Sequence, residues 1–390
     1  MIMFSNETLS LIRYCLSKGE VPIITDWDTV IKECKENAII PLLSSCRNNM
    51  DIPERYVGEI KTITYQNAYH MIKIGREQQS ITDTLSKHSI NPIILKGFSL
   101  AQYYDVPQFR TYGDVDLLLY KEDEFNLAIC ELINLKYYPM KEYKDLSYRG
   151  SMSCYSRHFE FKKNCIEVEL HSRYVGKYNE FDDYLKRINP ISRQVGGFNF
   201  VCFPDLANGL ILLEHLKFHL DYDGVGLRML IDWYYYAKKV LTDTFWTDCF
   251  EQASSKYGLQ KLAICMTQIC QLYFGLENRS FANEFDEKIC ANFMNIVSLS
   301  GNFGGTGTRL SRKVNSISCR ENLFCVLQRK GRDNYSIFSR NKVLYPFSWI
   351  NGIIISVREI LQNQNWISEI LSGRTKSRLN KKIKEALDLQ

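Results

Sequence analysis

The stretch of chain that decides the fold, residues 91–119, reads NPIILKGFSLAQYYDVPQFRTYGDVDLLL. Its first apolar run, Ile93 to Leu95, is typical of a short buried strand, and the lysine and glycine that follow end it. Residues 99–104 suit a short helix, and residues 113–119 form a second apolar run that predicts another strand. The stretch therefore predicts a strand, a tight turn, a short helix and a second strand of a small sheet.

Two acidic residues, Asp114 and Asp116, lie two positions apart in the second predicted strand. Alternate residues of a strand point to the same face, so both carboxyl groups project together. Carboxylates that close repel each other, and one would take up a proton unless a cation binds between them. Mg²⁺ meets that need because it prefers oxygen ligands. Taken alone, however, a D-x-D pattern is weak evidence for a metal site and more often marks a solvated strand edge or a turn.

A third acid is expected from residues 166–173, IEVELHSR, which predict another strand. Glu167, Glu169 and His171 alternate onto one face of it. Glu169 is the preferred partner of the two aspartates because apolar residues flank it on both sides, and Glu167 is the reserve. The alternative is a solvent-facing stripe with no role in a site.

The turn after the first strand is a candidate phosphate-binding element. A strand that ends at a glycine and opens into a helix presents free backbone N–H groups to an anion. Gly97 permits a close approach and Ser99 adds a hydroxyl, while Lys96 either reaches phosphate oxygens or is an ordinary surface lysine. Arg110, four residues before the aspartates, is placed to clamp phosphate or to neutralise the acids; a structural counter-ion is the alternative.

The whole chain reads as an α+β protein, with a small mixed sheet flanked by N-terminal and C-terminal helical domains. Helical spacing of apolar residues dominates the first ninety residues and returns from residue 205. Between them, a helix is predicted at residues 122–135, and strands are predicted near residues 157–161, 166–171 and 198–202. Four regions are expected: a helical region (1–90), a sheet-containing core (91–204), a helical domain (205–300) and a loop with a basic helical tail (301–390).

Composition excludes several classes of protein. The net charge of +5 over 390 residues permits an anionic ligand but does not indicate a nucleic-acid coat protein. The thirteen cysteines include no CxxC pair, so reduced, buried thiols are favoured over a zinc site. The first fifteen residues lack the pattern of a signal peptide, and the longest apolar stretch, residues 347–357, is too short to span a membrane. We therefore expect a cytoplasmic protein.

Three further patterns have competing interpretations. His215 and His219 are four apart on a predicted helix, but the H-E-x-x-H zinc motif is absent, so a polar wall facing the site is favoured over a metal pair. The glycine-rich residues 301–307 lack the ending of a phosphate loop and predict a flexible connection. A basic tail at residues 374–384 is better explained as a solvated helix face than as a nucleic-acid or membrane contact.

In combination, the segments ILKGFSLAQYY, PQFRTYGDVDLLL and VELHSR resemble the bacterial "uncharacterised nucleotidyltransferase" family of the polymerase-β superfamily. The likeness extends over residues 90–240, through Pro204-Asp205 and a helix at residues 213–219. The chain departs from the superfamily pattern in three places: Gly97-Phe98-Ser99 replaces a Gly-Gly or Gly-Ser pair, Glu169 stands where the family more often has aspartate, and Ser172 stands where an aromatic residue is common.

The resemblance implies a two-metal transfer of a nucleoside monophosphate from an NTP, such as ATP, with release of pyrophosphate. It implies that Asp114, Asp116 and Glu169 hold Mg²⁺ or Mn²⁺. The residues expected around the phosphates are Lys96, Gly97, Ser99 and Arg110. The second-tier candidates are Glu167, His171, Arg173, His215, His219, Arg228 and Asp232.

The acceptor stays open: a hydroxyl or phosphate of a small molecule, a peptide or protein side chain, or an RNA end. Two other functions compete with the leading one. A catalytically inactive adaptor would keep the fold and bind a partner through its helical domains, but an unused buried acid cluster costs stability. An RNA-modifying, toxin-like transferase would need a wide basic groove, whereas lysine and arginine are dispersed outside the tail.

Overall fold

The computed structural model describes residues 4–143, 145–153, 158–175, 180–221, 224–300, 327–328, 331, 347–361 and 377–389. Most of the loop predicted at residues 301–345, including the glycine-rich segment 301–307, lies outside these residues. So do Arg374 and Lys376 of the predicted basic tail, whereas residues 377–386 form a helix.

The N-terminal part of the chain is helical, as predicted. Two helices begin at side-chain caps: Ser5 accepts a hydrogen bond from the backbone N–H of Thr8 at 3.1 Å, and Asp26 accepts one from Thr29 at 3.0 Å. Each cap satisfies a donor that the first turn would otherwise leave unpaired. The bounds are α1 (Asn6–Ser17), α2 (Trp27–Glu36), α3 (Ile40–Leu43) and α4 (Glu54–Ser86).

In the described part of the chain, seven strands form one mixed sheet in the order β3-β4-β5-β2-β1-β7-β6. The pairs β2–β5 and β1–β7 are parallel, and the other neighbours are antiparallel. The α+β prediction is therefore confirmed. The strands are β1 (Ile93–Ile94), β2 (Val115–Leu118), β3 (Tyr138–Pro139), β4 (His158–Lys163), β5 (Ile166–His171), β6 (Ile191–Val195) and β7 (Phe198–Cys202).

Helices between the strands are α5 (Phe98–Ala101), α6 (Glu122–Asn134), α7 (Tyr148–Ser153) and α8 (Glu180–Arg187). The helix predicted at residues 99–104 was too long, because α5 is a single turn. The short strands β3 and β6 lie outside the predicted set. Both are edge strands, and the residues of β6 are largely exposed, so neither carries a continuous apolar run.

The two faces of the sheet differ in chemistry because alternate residues point to opposite sides. One face packs Leu117, Phe159, Phe161 and Leu170 into an apolar core with residues of α4 and α6. The opposite face of the same strands carries acids, histidines and lysines. The alternation that builds the core therefore also builds a polar surface.

The later helices are α9 (Asp205–Asp221), α10 (Leu227–Lys239), α11 (Asp243–Phe245), α12 (Glu251–Lys256), α13 (Gln260–Phe274), α14 (Glu287–Ser300) and α15 (Ser348–Leu361). A π-helical turn, Trp246–Phe250, joins α11 to α12. The described residues form two compact units, of which the larger contains residues 5–214 and 230–284 and therefore the whole sheet. None of the described helices is both long enough and apolar enough to cross a membrane.

Two glycines of the long helix α4, one buried and one exposed, show how closely this helix packs on the sheet. Gly75 is buried, and a Cβ atom added there would lie 2.5 Å from ring carbons of Phe198 on β7. Gly58, in the same helix, is exposed and has no atom within 4 Å of an added Cβ. Alanine is the better helix former by up to ~1 kcal/mol, whereas overpacking a core costs about 1–3 kcal/mol.

We therefore expect Gly75→Ala to lower the free energy of unfolding and Gly58→Ala to leave it unchanged or raise it, as measured by urea denaturation. Both substitutions are in the same helix, so both gain the same helix propensity. The difference between them therefore reports the packing at each site. Equal stabilisation by both substitutions would contradict the close contact of α4 with β7.

Candidate active site

Three carboxyl groups converge on the polar face of the sheet. Asp116 is in β2, Asp114 comes directly before this strand, and Glu169 is in β5. Because β2 and β5 are parallel neighbours with Asp116 opposite Glu169, the acids are adjacent. One oxygen of each residue lies within 4.8 Å of the other two. The structure thus brings together the three acids that the sequence singles out.

The local sequence explains this placement. Leu117 and Leu170 enter the apolar core, so the residues before them in the alternation, Asp116 and Glu169, face the other way. Asp116 is only 2% exposed, and its Oδ2 has no hydrogen-bond partner among the described residues. A buried carboxylate oxygen without a partner costs stability. Such an atom fits a position that a cation would complete.

Lys96 forms an ion pair with one of the acids. Its Nζ lies 2.8 Å from Oδ1 of Asp116, and its side chain is largely buried. Burial lowers the pKa of Lys96, but the charges of Asp116, Asp114 and Glu169 raise it more, so the net shift is upward. Lys96 is therefore a permanent positive charge inside the acid cluster rather than an ordinary surface lysine.

His171 bridges two of the acids. Its Nε2 lies 3.2 Å from Oδ1 of Asp116 and 3.2 Å from Oε2 of Glu169. Burial raises the pKa of Glu169, but the hydrogen bond with His171 and the charge of Lys96 outweigh it and lower that pKa to about 2. Burial likewise opposes protonation of His171, yet its two carboxylate partners raise its pKa. Glu169 is therefore ionised at neutral pH.

A second histidine, His158, was missed by the sequence reasoning. It lies in β4 opposite His171, and Glu160 lies opposite Glu169. Nε2 of His158 is 3.5 Å from Oε1 of Glu169 and 3.4 Å from Oε1 of Glu160. The hydrogen bond from His158 and the charge of Lys141 lower the pKa of Glu160 to about 2, although burial raises it. The signal was present, since His158 and Glu160 alternate with two core phenylalanines.

Glu167, the reserve third acid, does not join the cluster. Its side chain is 45% exposed and forms an ion pair of 2.6 Å with Lys162 across the β4–β5 hairpin. The strand register places Val115 opposite Val168 and Asp116 opposite Glu169, which leaves Glu167 beyond the end of β2. Glu169 is thus the glutamate that meets the aspartates.

The turn residues divide into two groups. Gly97 has φ +57°, a conformation that glycine adopts without strain, and its Cβ position lies 3.9 Å from the backbone carbonyl of Asp114. Ser99 is fully buried and donates a hydrogen bond of 3.1 Å to Asn208. The backbone at Gly97 therefore lies near the acids, whereas the hydroxyl of Ser99 is used in packing.

Arg110 is engaged away from the acids. Its Nε and Nη2 donate to the two carboxyl oxygens of Asp232 at 2.9 and 3.1 Å, and all four atoms are buried. Tyr104 donates a third hydrogen bond, of 2.7 Å, to the same carboxylate. The charge of Asp232 raises the pKa of Arg110 despite burial. This geometry favours the structural counter-ion among the roles weighed for Arg110.

The remaining second-tier residues have contacts of their own. Arg173 donates to the backbone carbonyls of Met152 at 3.1 Å and Ser151 at 3.4 Å, which ties the end of β5 to α7. The rings of His215 and His219 pack edge to face, with centroids 4.4 Å apart. These two histidines and Arg228 belong to the smaller unit. Within the described ranges, neither histidine belongs to a group of three or more metal-ligand side chains.

A family model described as "uncharacterised nucleotidyltransferase" matches residues 24–275. The match covers more than half of the 390 residues and contains all seven strands described above and the three converging acids. No curated protein and no solved structure matches the chain significantly. The likeness seen in the sequence motifs is thereby confirmed, and this chain belongs to the uncharacterised nucleotidyltransferase family.

Proposed function

We propose that this protein is a metal-dependent nucleotidyltransferase that moves a nucleoside monophosphate from an NTP to an acceptor and releases pyrophosphate. The observation that carries the proposal is the convergence of Asp114, Asp116 and Glu169 within 4.8 Å on the polar face of the sheet. The family assignment supports nucleotidyl transfer in general. The NTP donor and the two-metal mechanism are what the family resemblance implies, and the three acids supply ligands that fit the metal.

The donor set fits a hard divalent cation. Asp114, Asp116 and Glu169 would hold Mg²⁺ or Mn²⁺, because such ions prefer carboxylate oxygens. Even with His171 protonated, it and Lys96 set two positive charges against three carboxylates, so negative charge is left over. When bound at such a site, the metal would lower the pKa of an acceptor hydroxyl and neutralise charge on the departing pyrophosphate.

Lys96 is proposed to exchange partners during the reaction. Its ammonium group compensates the charge of Asp116 at 2.8 Å. If Asp116 held a cation instead, the flexible stem of Lys96 would be free to bind the phosphates of the donor. The backbone at Gly97, close to Asp114, lies where a triphosphate on the acids would pass. Lys96 therefore serves as internal counter-ion first and as phosphate ligand second.

Glu169 is proposed to orient the acceptor. Its carboxylate is ionised, since its pKa is lowered to about 2, and its side chain is 23% exposed, whereas that of Asp116 is 1% exposed. An incoming hydroxyl therefore reaches Glu169 before it reaches Asp116. The carboxylate can hold that hydroxyl by a charge-assisted hydrogen bond for attack on the α-phosphorus.

Removing one ligand tests the cation site. We expect Mg²⁺ with an NTP to raise the Tm of the full-length protein, and Asp114→Asn to abolish this shift, as measured by thermal denaturation. Asp114 is chosen because it is less buried than Asp116, so its substitution spares the fold. Glu167→Gln on the same face is the matched control and should keep the shift. A normal response in Asp114→Asn would place the site elsewhere.

The partner exchange of Lys96 predicts a metal-dependent stability defect. Lys96→Met leaves Asp116 buried without its cation, which should cost about 3–5 kcal/mol in the absence of divalent ions. Mg²⁺ should recover part of this loss in urea denaturation. The control Lys162→Met breaks the exposed pair with Glu167 and should cost less than ~1 kcal/mol, with no effect of Mg²⁺. Equal losses in both variants would rule out Lys96 as an internal counter-ion.

The products distinguish the reaction types. With α-labelled NTP and cell extract, we expect label on an acceptor and pyrophosphate release that requires this acceptor. Glu169→Gln should lower turnover about 100-fold or more and retain NTP binding, because the aspartates and Lys96 are intact. Formation of NDP or orthophosphate as the main product would exclude transfer of the α-phosphoryl group. NTP binding without pyrophosphate release in any extract would favour the inactive adaptor.

A further inference from the structure

The hairpin of β4 and β5 holds a second group of possible metal ligands beside the three carboxylates. His158, Glu169 and His171 each offer one ligand atom, and these atoms lie within 4.8 Å of one another. Two imidazoles and one carboxylate are the donor set of open zinc sites, and they differ from the all-oxygen set of Mg²⁺. The proposed nucleotidyl transfer uses Glu169 but gives no role to either imidazole as a ligand.

The three side chains are close enough to share one ion, because one ligand atom of each lies within 4.8 Å of the others. Nε2 of His171 lies 3.2 Å from Oε2 of Glu169, and Nε2 of His158 lies 3.5 Å from Oε1, the other oxygen of the same carboxylate. Zinc bonds of about 2.0–2.2 Å at tetrahedral angles separate neighbouring ligand atoms by about 3.3–3.6 Å. Small rotations of these side chains would therefore bring one ligand atom from each residue to an ion.

We propose that His158, Glu169 and His171 bind a transition-metal ion of the Zn²⁺ class, at a site that shares Glu169 with the carboxylate cluster. The strands preorganise this site, because the antiparallel register sets His158 opposite His171. The side chains of His158, Glu169 and His171 are 18%, 23% and 5% exposed. The ion is thus held from the buried side by His171 and stays open to water or a substrate beside His158.

The affinity of this site is limited by its surroundings. Nδ1 of both histidines is buried without a hydrogen-bond partner among the described residues. A metal-bound histidine usually donates its second ring N–H to a neighbour, and loss of such a partner weakens metal binding about 10–100-fold. We therefore expect this site to bind Zn²⁺ more weakly than a structural zinc site does.

Sharing Glu169 couples the two sites, and this consequence rests on the proposed function. Glu169 cannot serve a Zn²⁺ ion beside the histidines and a Mg²⁺–NTP complex beside the aspartates with the same geometry. Zn²⁺ should therefore weaken the stabilisation that Mg²⁺ and NTP give together, and the reverse must hold by thermodynamic linkage.

The test uses the full-length protein and two metal probes. Co²⁺ replaces Zn²⁺ in such sites and absorbs visible light strongly when it has four or five nitrogen and oxygen ligands. We expect one Co²⁺ per chain with this spectrum, displaced by Zn²⁺, and a Zn²⁺ affinity at least 10-fold lower in His158→Ala by calorimetry. His88→Ala is the control, because His88 faces a carboxylate, that of Glu131, at 3.5 Å but belongs to no group of three ligands among the described residues.

Asp114→Asn separates this proposal from the nucleotidyltransferase proposal. This substitution removes the carboxylate site and leaves the histidines intact, so Zn²⁺ and Co²⁺ should bind as in the unaltered protein. Far-ultraviolet circular dichroism of each variant checks that it is folded. The proposal is overturned if Co²⁺ gives no such spectrum, if folded His158→Ala binds Zn²⁺ normally, or if Asp114→Asn loses Zn²⁺ as completely as His158→Ala.

Discussion

The parallel pairing of β2 with β5 brings two carboxylates side by side, and the surrounding residues compensate their repulsion. This register puts Asp116 beside Glu169, with Asp116 only 2% exposed, so two like charges share a poorly solvated space. The neighbouring strand supplies the first compensation: the backbone N–H of Leu95 donates to the carbonyl of Asp116 at 3.2 Å, which carries Lys96 to the acids. His171, two residues along β5, supplies the second.

Much of this arrangement can be predicted from the sequence, because strands have a period of two. Apolar residues on both sides of Asp116 and of Glu169 direct these acids away from the core, and the structure places them on one face. Glu167 shares that periodicity and differs only in position along the strand. The parallel register with β2 decides between the two glutamates, and no local pattern encodes a register between strands 50 residues apart.

Other features escaped sequence reasoning because their partners are distant in the chain or because strand pairing cannot be deduced from one strand alone. Arg110 precedes the aspartates by four residues, yet its carboxylate partner, Asp232, is 122 residues away. His158 escaped for a different reason. The alternation of His158 with Phe159 and Phe161 is visible in the sequence, but alternation within one strand does not give the pairing of that strand with its neighbour. The β4–β5 register that sets His158 opposite His171 is therefore seen only in the structure.

The length of the third acid explains how one side chain can serve both groups of ligands. Glu169 keeps one oxygen within 4.8 Å of the aspartate oxygens, while its two oxygens lie 3.5 Å and 3.2 Å from the histidines. An aspartate at this position would reach about 1.5 Å less far from the backbone, the length of one carbon–carbon bond. The extra methylene of Glu169 therefore extends its carboxylate to a point where it contacts His158 of β4 and His171 of β5 and lies near the aspartates of β2.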